Sequence, residues 1–301
     1  ATNTMGIGGE PTKYGNVAKM KSNGVELSLN TVNIKTKDFT WTTDFIYSHM
    51  HNEVTELNTY NRLYDYISGY GFTMPGYPQR SLFSIPFAGL NNEGLPTFYD
   101  PDGNITVTGI DMQEYDPERL KFLKYEGPAD PTDVGSLGNI FRYKNLTLNL
   151  FITYSFGNVV RLDPVFSSEY SDLSATPKEF NNRWIKPGDE KFTNIPVIAS
   201  RRLLNNLAYL SRAYQSYNYS TARVAKGDFI RMKEISLAYE FPKTLTQPLH
   251  LSNLSLKLQA TNLFLLYADK KLNGQDPEFF NAGGVATPMP KQFTLTLKFG
   301  I

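Results

Sequence analysis

Along several stretches of the chain apolar and polar residues alternate strictly. Val25, Leu27 and Leu29 alternate with Glu26, Ser28 and Asn30 from Gly24 onward, the period of two that a pleated strand imposes on its side chains. After a polar break at Lys35 to Asp38, Phe39, Trp41, Phe45 and Tyr47 take one face and Thr40, Thr42, Asp44 and Ser48 the other, which completes a hairpin. A second hairpin starts at Asn139 to Tyr143, turns at Lys144-Asn145, and returns through Leu146, Leu148, Leu150, Ile152, Tyr154 and Phe156. Thr147, Asn149, Thr153 and Ser155 alternate with them, and only Phe151 interrupts the polar side. Asn in so tight a turn accepts left-handed backbone. Asp228 to Phe241 reads as a strand with Ile235, Leu237, Tyr239 and Phe241 on one face and Glu234, Ser236 and Glu240 on the other. Leu254, Leu256 and Leu258 alternate with Ser255, Lys257 and Gln259 in a strand that runs to Tyr267. The last strand, Gln292 to Ile301, carries Phe293, Leu295, Leu297, Phe299 and Ile301 in phase.

Between these strands the connections alternate short and long. His49 to about Gly135 dissolves into Gly, Pro, Asn, Asp and Tyr. Gly157 to about Lys226 does the same, with a helical piece expected near Pro177 to Trp184, and a third irregular span covers Ala268 to Pro290. Long structureless spans are unusual in a compact soluble domain, but a membrane barrel has short turns on one side and long loops on the other. The reading gives about seven strands, several of them long enough to cross a bilayer at a tilt, which takes roughly 9 to 11 residues. Glu26, Asn30, Asp44, Thr147, Asn149, Glu234, Glu240, Lys257, Gln259 and Lys298 share the polar face. They would be costly in a dry core and suit a wet lumen. Tyr47, Tyr154, Phe156, Tyr239, Phe241 and Tyr267 stand near strand ends, where a bilayer has its interfaces. So few strands with so polar an inner face do not close alone, and the piece needs partner strands.

Composition agrees. Mean hydropathy is −0.36, which alternating strands produce even when one face meets lipid. No apolar run approaches the roughly 18 residues of a spanning helix. The 19 Tyr and 20 Phe against 2 Trp are a strand-rich bias. A net charge of +1 with dispersed Lys and Arg argues against nucleic acid. With 0 Cys there are no disulfides, thiolate nucleophiles or Cys-based zinc sites. Ala1 to Asn23 reads as a loop and lacks the pattern of a signal peptide, so it is expected to be a cut end.

Four segments carry a family resemblance: Asn23-Gly24-Val25-Glu26-Leu27-Ser28-Leu29, Phe141-Arg142-Tyr143-Lys144-Asn145-Leu146-Thr147-Leu148, Gly227-Asp228-Phe229-Ile230-Arg231-Met232-Lys233-Glu234-Ile235-Ser236-Leu237 and Ala260-Thr261-Asn262-Leu263-Phe264. With the loop Asp276-Pro277-Glu278 they resemble the C-terminal region of SusC/RagA-type TonB-dependent outer-membrane transporters, from about Lys13 to Ile301. The resemblance implies an all-β fold, the C-terminal strands of a large antiparallel transmembrane β-barrel, roughly 22-stranded in the family, with long extracellular loops. Residues 1–301 are then one C-terminal portion, with the plug domain and N-terminal strands on another fragment of the same transporter. Expected partners are that fragment, a SusD-like surface lipoprotein, TonB through the absent N-terminal part, outer-membrane lipid, and a glycan or peptide substrate. One departure is the end Phe299-Gly300-Ile301, where such barrels finish in an aromatic residue.

Sites for chemistry are sparse. His49 and His51 lie near Glu53 and Glu56, short of the ligand set a metal needs. Asp100, Asp102 and Asn104 have the oxygen spacing of a calcium loop, but Gly103 comes too early and no acid closes it; a tight turn is the plainer reading. No phosphate loop, nucleophile elbow or distinctive carboxylate pair stands out. No enzyme, no metal and no cofactor are therefore expected. Tyr60, Tyr64, Tyr66 and Tyr70 in the first long span, and Trp184, Tyr214, Tyr217 and Tyr219 in the second, are candidates for contact with substrate or lid, since aromatic bodies with polar tips suit sugars and peptides. Packing of the loops is the competing role for them. The competing fold is a soluble or surface β-sandwich module that binds glycans.

Overall fold

The computed structural model describes residues 2–3, 12–13, 18–59, 61–68, 71–165, 177–280 and 290–301. Its largest element is a seven-stranded sheet of β1 (Ala18–Lys35), β2 (Phe39–Leu57), β3 (Asp133–Tyr143), β4 (Leu146–Phe156), β5 (Phe229–Glu240), β6 (Asn253–Ala268) and β7 (Gln292–Gly300). Spatial order follows chain order, and β2 to β7 pair antiparallel with their sequence neighbours. The first strand starts at Ala18, earlier than Gly24, and β2 continues past His49 to Leu57. The expected opening loop is therefore already strand over its last residues, and most of the rest of it lies outside the described residues.

Register explains the two faces. Trp41, Phe141, Leu148, Leu237, Leu258 and Leu295 form one cross-strand row. The adjacent row is Thr40, Arg142, Thr147, Ala238, Lys257 and Thr296. A slip of one residue would exchange every side chain between faces, so the alternation itself locks the pairing. The apolar face is open along its length: Phe293 is 76%, Leu295 65% and Leu297 59% exposed. A sandwich would bury that face under a second sheet, yet the other sheets among the described residues have only two or three strands.

Rows of large aromatics bound the apolar face. Tyr143 pairs with Phe39 at the end with short turns, and Gly135 lies between Tyr47 and Tyr154 at the other end. Those eight steps from Gly135 to Tyr143 span roughly 27 Å of strand and, at a tilt of about 40°, about 20 Å of height. That is close to the apolar band of roughly 25 Å on outer-membrane barrels.

Two local departures from regular strand matter. At the turn between β3 and β4 it is Lys144, at φ 49°, that takes the left-handed backbone expected of Asn. Asn145 instead donates its side-chain amide to the Glu240 carbonyl at 2.6 Å, stitching the turn to β5. In β5 the pairing with β4 shifts at Phe151/Ile152, so Glu234 opposes Phe151 while Met232 opposes Ile152 and Lys233 is the extra residue of a bulge. Strict alternation from Ile235 would send Arg231 to the apolar face. The bulge turns it to the polar one, opposite Thr153.

Contacts divide the chain into two compact units. One holds most of the sheet, from Gly24–Met50, Asp130–Leu162 and Ala225–Ile301. The other is made of Ala1–Asn23, His51–Ala129 and Asp163–Val224. The long spans of this second unit have a core of their own, in which Leu63, Ile67, Phe83, Ile85, Phe98, Leu120 and Tyr217 are buried. It contains a short helix α1 (Leu63–Ile67) and a longer α2 (Tyr209–Asn218). The segment with Tyr214 and Tyr217, expected to be loop, is this second helix: Leu210, Ala213, Tyr214 and Tyr217 recur at helical spacing and are its buried face. Helix backbone is reached closely by Gly109, at φ +74°, where a Cβ would stand 2.7 Å from the Ala213 nitrogen. The helical piece expected near Pro177 to Trp184 is a short 3-10 helix, Lys178–Asn182.

Candidate functional site

Charge on the polar face is paired across strands. Glu234 of β5 accepts from the Asn149 amide of β4 at 3.3 Å and lies 3.6 Å from Lys257 of β6. Asn30 of β1 donates to Asp44 of β2. A face with this much hydrogen-bonding capacity is built to meet water or another polar surface.

The densest charge cluster surrounds Arg231. Its guanidinium pairs with Asp276, lies 3.0 Å from Glu278, and stacks 5.6 Å over the Phe229 ring. Lys233 reaches Glu278 at 3.8 Å. The acidic side is shaped locally: Asp276 accepts the Glu278 N–H at 3.1 Å and caps the turn Pro277–Phe279, whose Pro is preset for that position. Residues 45 apart in sequence are thus brought together. All of them stand inside the family-like motifs, whose local patterns do not pair them. The available signal was the run Ile230, Met232, Ile235, whose spacing breaks the period of two.

The candidate aromatic residues separate by burial. Tyr66, Tyr214, Tyr217 and Trp184 are buried. Tyr64 and Tyr219 are half-buried and meet edge to face at 5.8 Å. Tyr60 and Tyr70 lie outside the described residues. Burial pushes the Tyr217 hydroxyl up to about 12. Arg223, itself buried, stands over the Tyr217 ring and pairs with Glu179 at 2.6 Å. Trp184 donates its indole N–H to Glu190 at 3.0 Å and packs on Gly94. The packing role is the visible one for four of these rings.

The other sequence candidates are accounted for by local bonding. His49 Nδ1 lies 2.9 Å from Asp133, which also accepts from Tyr47 at 2.7 Å. Asp100 accepts backbone N–H bonds from Asp102 at 2.9 Å and Asn104 at 2.8 Å, the geometry of a tight turn. Among the described residues no three His, Asp or Glu side chains gather as a metal would need, and no helix is long and apolar enough to cross a membrane.

Comparison with known proteins gives a consistent picture. No family model matches the chain. It is 26% identical over 315 residues to TonB-dependent receptor P39 of Formosa agariphila, covering 91% of this chain and 29% of that protein. TonB-dependent receptor SusC of Bacteroides thetaiotaomicron is 26% identical over 298 residues, which is 94% of this chain and 26% of SusC. Among solved structures, the RagAB peptide transporter superposes with a TM-score of 0.70 at 22% identity, covering 99% of this chain and 31% of that one. The RagAB importer in its open-open state gives 0.67 at 20% identity, covering 96% and 30%. The chain spans less than a third of the length of these relatives.

A two-faced meander with an open apolar side and a paired polar side is a stretch of wall from a transmembrane β-barrel of the bacterial outer membrane. Within that class the chain is SusC/RagA-like: it is similar in sequence to TonB-dependent receptors and in fold to the RagAB transporter.

Proposed function

We propose that the chain forms wall and surface loops of an energised outer-membrane importer, in which a SusD-like lipoprotein closes over the mouth and TonB acts through a plug. It corresponds to the C-terminal portion of such a barrel, and the plug and remaining strands lie in sequence outside this stretch. The observation that carries the reading is the register-matched pair of faces, Leu258 and Leu295 outward against Lys257 and Thr296 inward, on strands of membrane-crossing length. The RagAB structures are of a peptide importer, which supports import of oligopeptide, and oligosaccharide is the alternative substrate class that the family resemblance implies. The role is transport without an enzyme site or cofactor.

Contact of the loops with substrate or lid is part of this proposal, and burial narrows it. Tyr64 and Tyr219 keep part of their rings open, whereas Tyr66, Trp184, Tyr214 and Tyr217 act by holding the loop core together. The test is uptake of labelled oligosaccharides and oligopeptides by cells with and without the full-length transporter. Import of one class that vanishes on deletion supports the reading; equal import of both classes in the deletion strain overturns it.

A further inference from the structure

The segment between β6 and β7 is tied back at three points, two of them at the small two-stranded sheet of Val159–Arg161 and Val224–Lys226 and one at β5. Asp269 accepts the Lys226 N–H at 2.9 Å while capping its own turn through the Lys271 N–H at 2.9 Å. Leu272 is buried with Val160, Leu162 and Ala225, and Phe280 packs against that cluster. The third point is Arg231 with Asp276 and Glu278.

The third tie is the unusual one. Burying a guanidinium is costly unless it is well paired, and the strand deviates from alternation to present it: the bulge at Lys233 is what puts Arg231 on the polar face. The side chains of Arg231 and Asp276 are 7% and 10% exposed, so solvent screens them little. Pro277 and the Asp276 cap hold both carboxylates ready for one guanidinium. A hydrophobic anchor already exists at Leu272, so the ion cluster adds direction: it draws Asp276–Phe280 toward the polar face and away from the lipid side.

We propose that Arg231 is a positioning residue for transport: by clasping Asp276 and Glu278 it holds the last surface segment, residues 269–280, over the polar face, where it shapes the mouth that substrate passes. This rests on the importer reading given above. Arg231 supplies two hydrogen-bonding edges at a fixed angle, which a lysine lacks, so Arg231→Lys is expected to be intermediate rather than neutral.

The test uses the full-length transporter in outer membranes, with heat-modifiable gel mobility as the check of barrel folding. In Arg231→Gln, amide hydrogen exchange of residues 271–280 is expected to rise by about tenfold or more while that of 146–156 stays unchanged, with Arg231→Lys between. The half-saturating concentration for uptake is expected to rise several-fold at an unchanged maximal rate per folded transporter. Unchanged exchange in 271–280 overturns the proposal, as does faster exchange with unaltered half-saturation. Glu278→Gln, which removes one of the two carboxylates, is expected to give a smaller change in the same direction and serves where Arg231→Gln fails to assemble. If the transporter imports neither substrate class, the importer reading fails on its own test and the exchange measurement alone decides the clasp.

Discussion

The indole nitrogen of Trp184 donates to the Glu190 carboxylate at 3.0 Å, and the same oxygen accepts the Gly188 N–H at 2.8 Å. The Trp184 bond, helped by backbone N–H groups, holds the Glu190 carboxyl below its ordinary range. A carboxyl depressed in the fold adds stability above its unfolded value and loses it as pH falls through the folded one. The turn is therefore expected to stay closed at neutral pH and to loosen as pH drops below roughly 4. The emission component assigned to Trp184 by its loss in Trp184→Phe is expected to show an acid transition that Glu190→Gln abolishes.

Neighbouring residues of β6 are expected to respond oppositely to the same change. Leu258 is on the open apolar face and Gln259 on the polar one. An Arg on the lipid face near mid-membrane costs about 2–4 kcal/mol. Leu258→Arg in the full-length transporter is expected to lower the urea midpoint or block assembly, while Gln259→Arg folds normally. Equal tolerance of both would argue against a lipid-facing side.

Removing Lys233 would return β5 to strict alternation and send Arg231 and Phe229 to the other face. Deletion of this one residue is expected to prevent assembly, whereas Lys233→Ala keeps the bulge and folds. Heat-modifiable mobility distinguishes them.

Arg223 pairs with Glu179 and bonds to the Asp163 carbonyl while almost fully buried. Arg223→Ala leaves the Glu179 carboxylate without that partner, at a cost of about 3–5 kcal/mol. Protease cleavage within 177–223 is expected to increase, with the fragment pattern of residues 130–162 unchanged.

The sheet was legible because each strand writes its two faces into consecutive residues. Val25 to Leu29, Leu146 to Phe156 and Phe293 to Phe299 needed only the period of two, and their pairing followed from short turns. Arg231 was less accessible, since its face depends on one extra residue and its partners lie beyond β6. The helix Tyr209–Asn218 had a readable spacing but stood in a Tyr-rich stretch that suggested exposed recognition. The loop core was the least legible part: Leu63, Phe83, Leu120 and Tyr217 come from separated segments, and no local pattern announces that they meet. Four of the aromatic residues proposed for ligand contact, Tyr66, Trp184, Tyr214 and Tyr217, are buried, and no local pattern announced that burial.

Because residues 51–129 and 163–224 bury a core of their own, the strands of the sheet and these long spans answer to separate constraints. Substitutions that remodel the spans need only respect that inner packing, while the strands answer to the bilayer. Such an arrangement makes the long spans exchangeable as a block: their sequence can be rewritten around its own core while the strands keep the alternation that lets them insert.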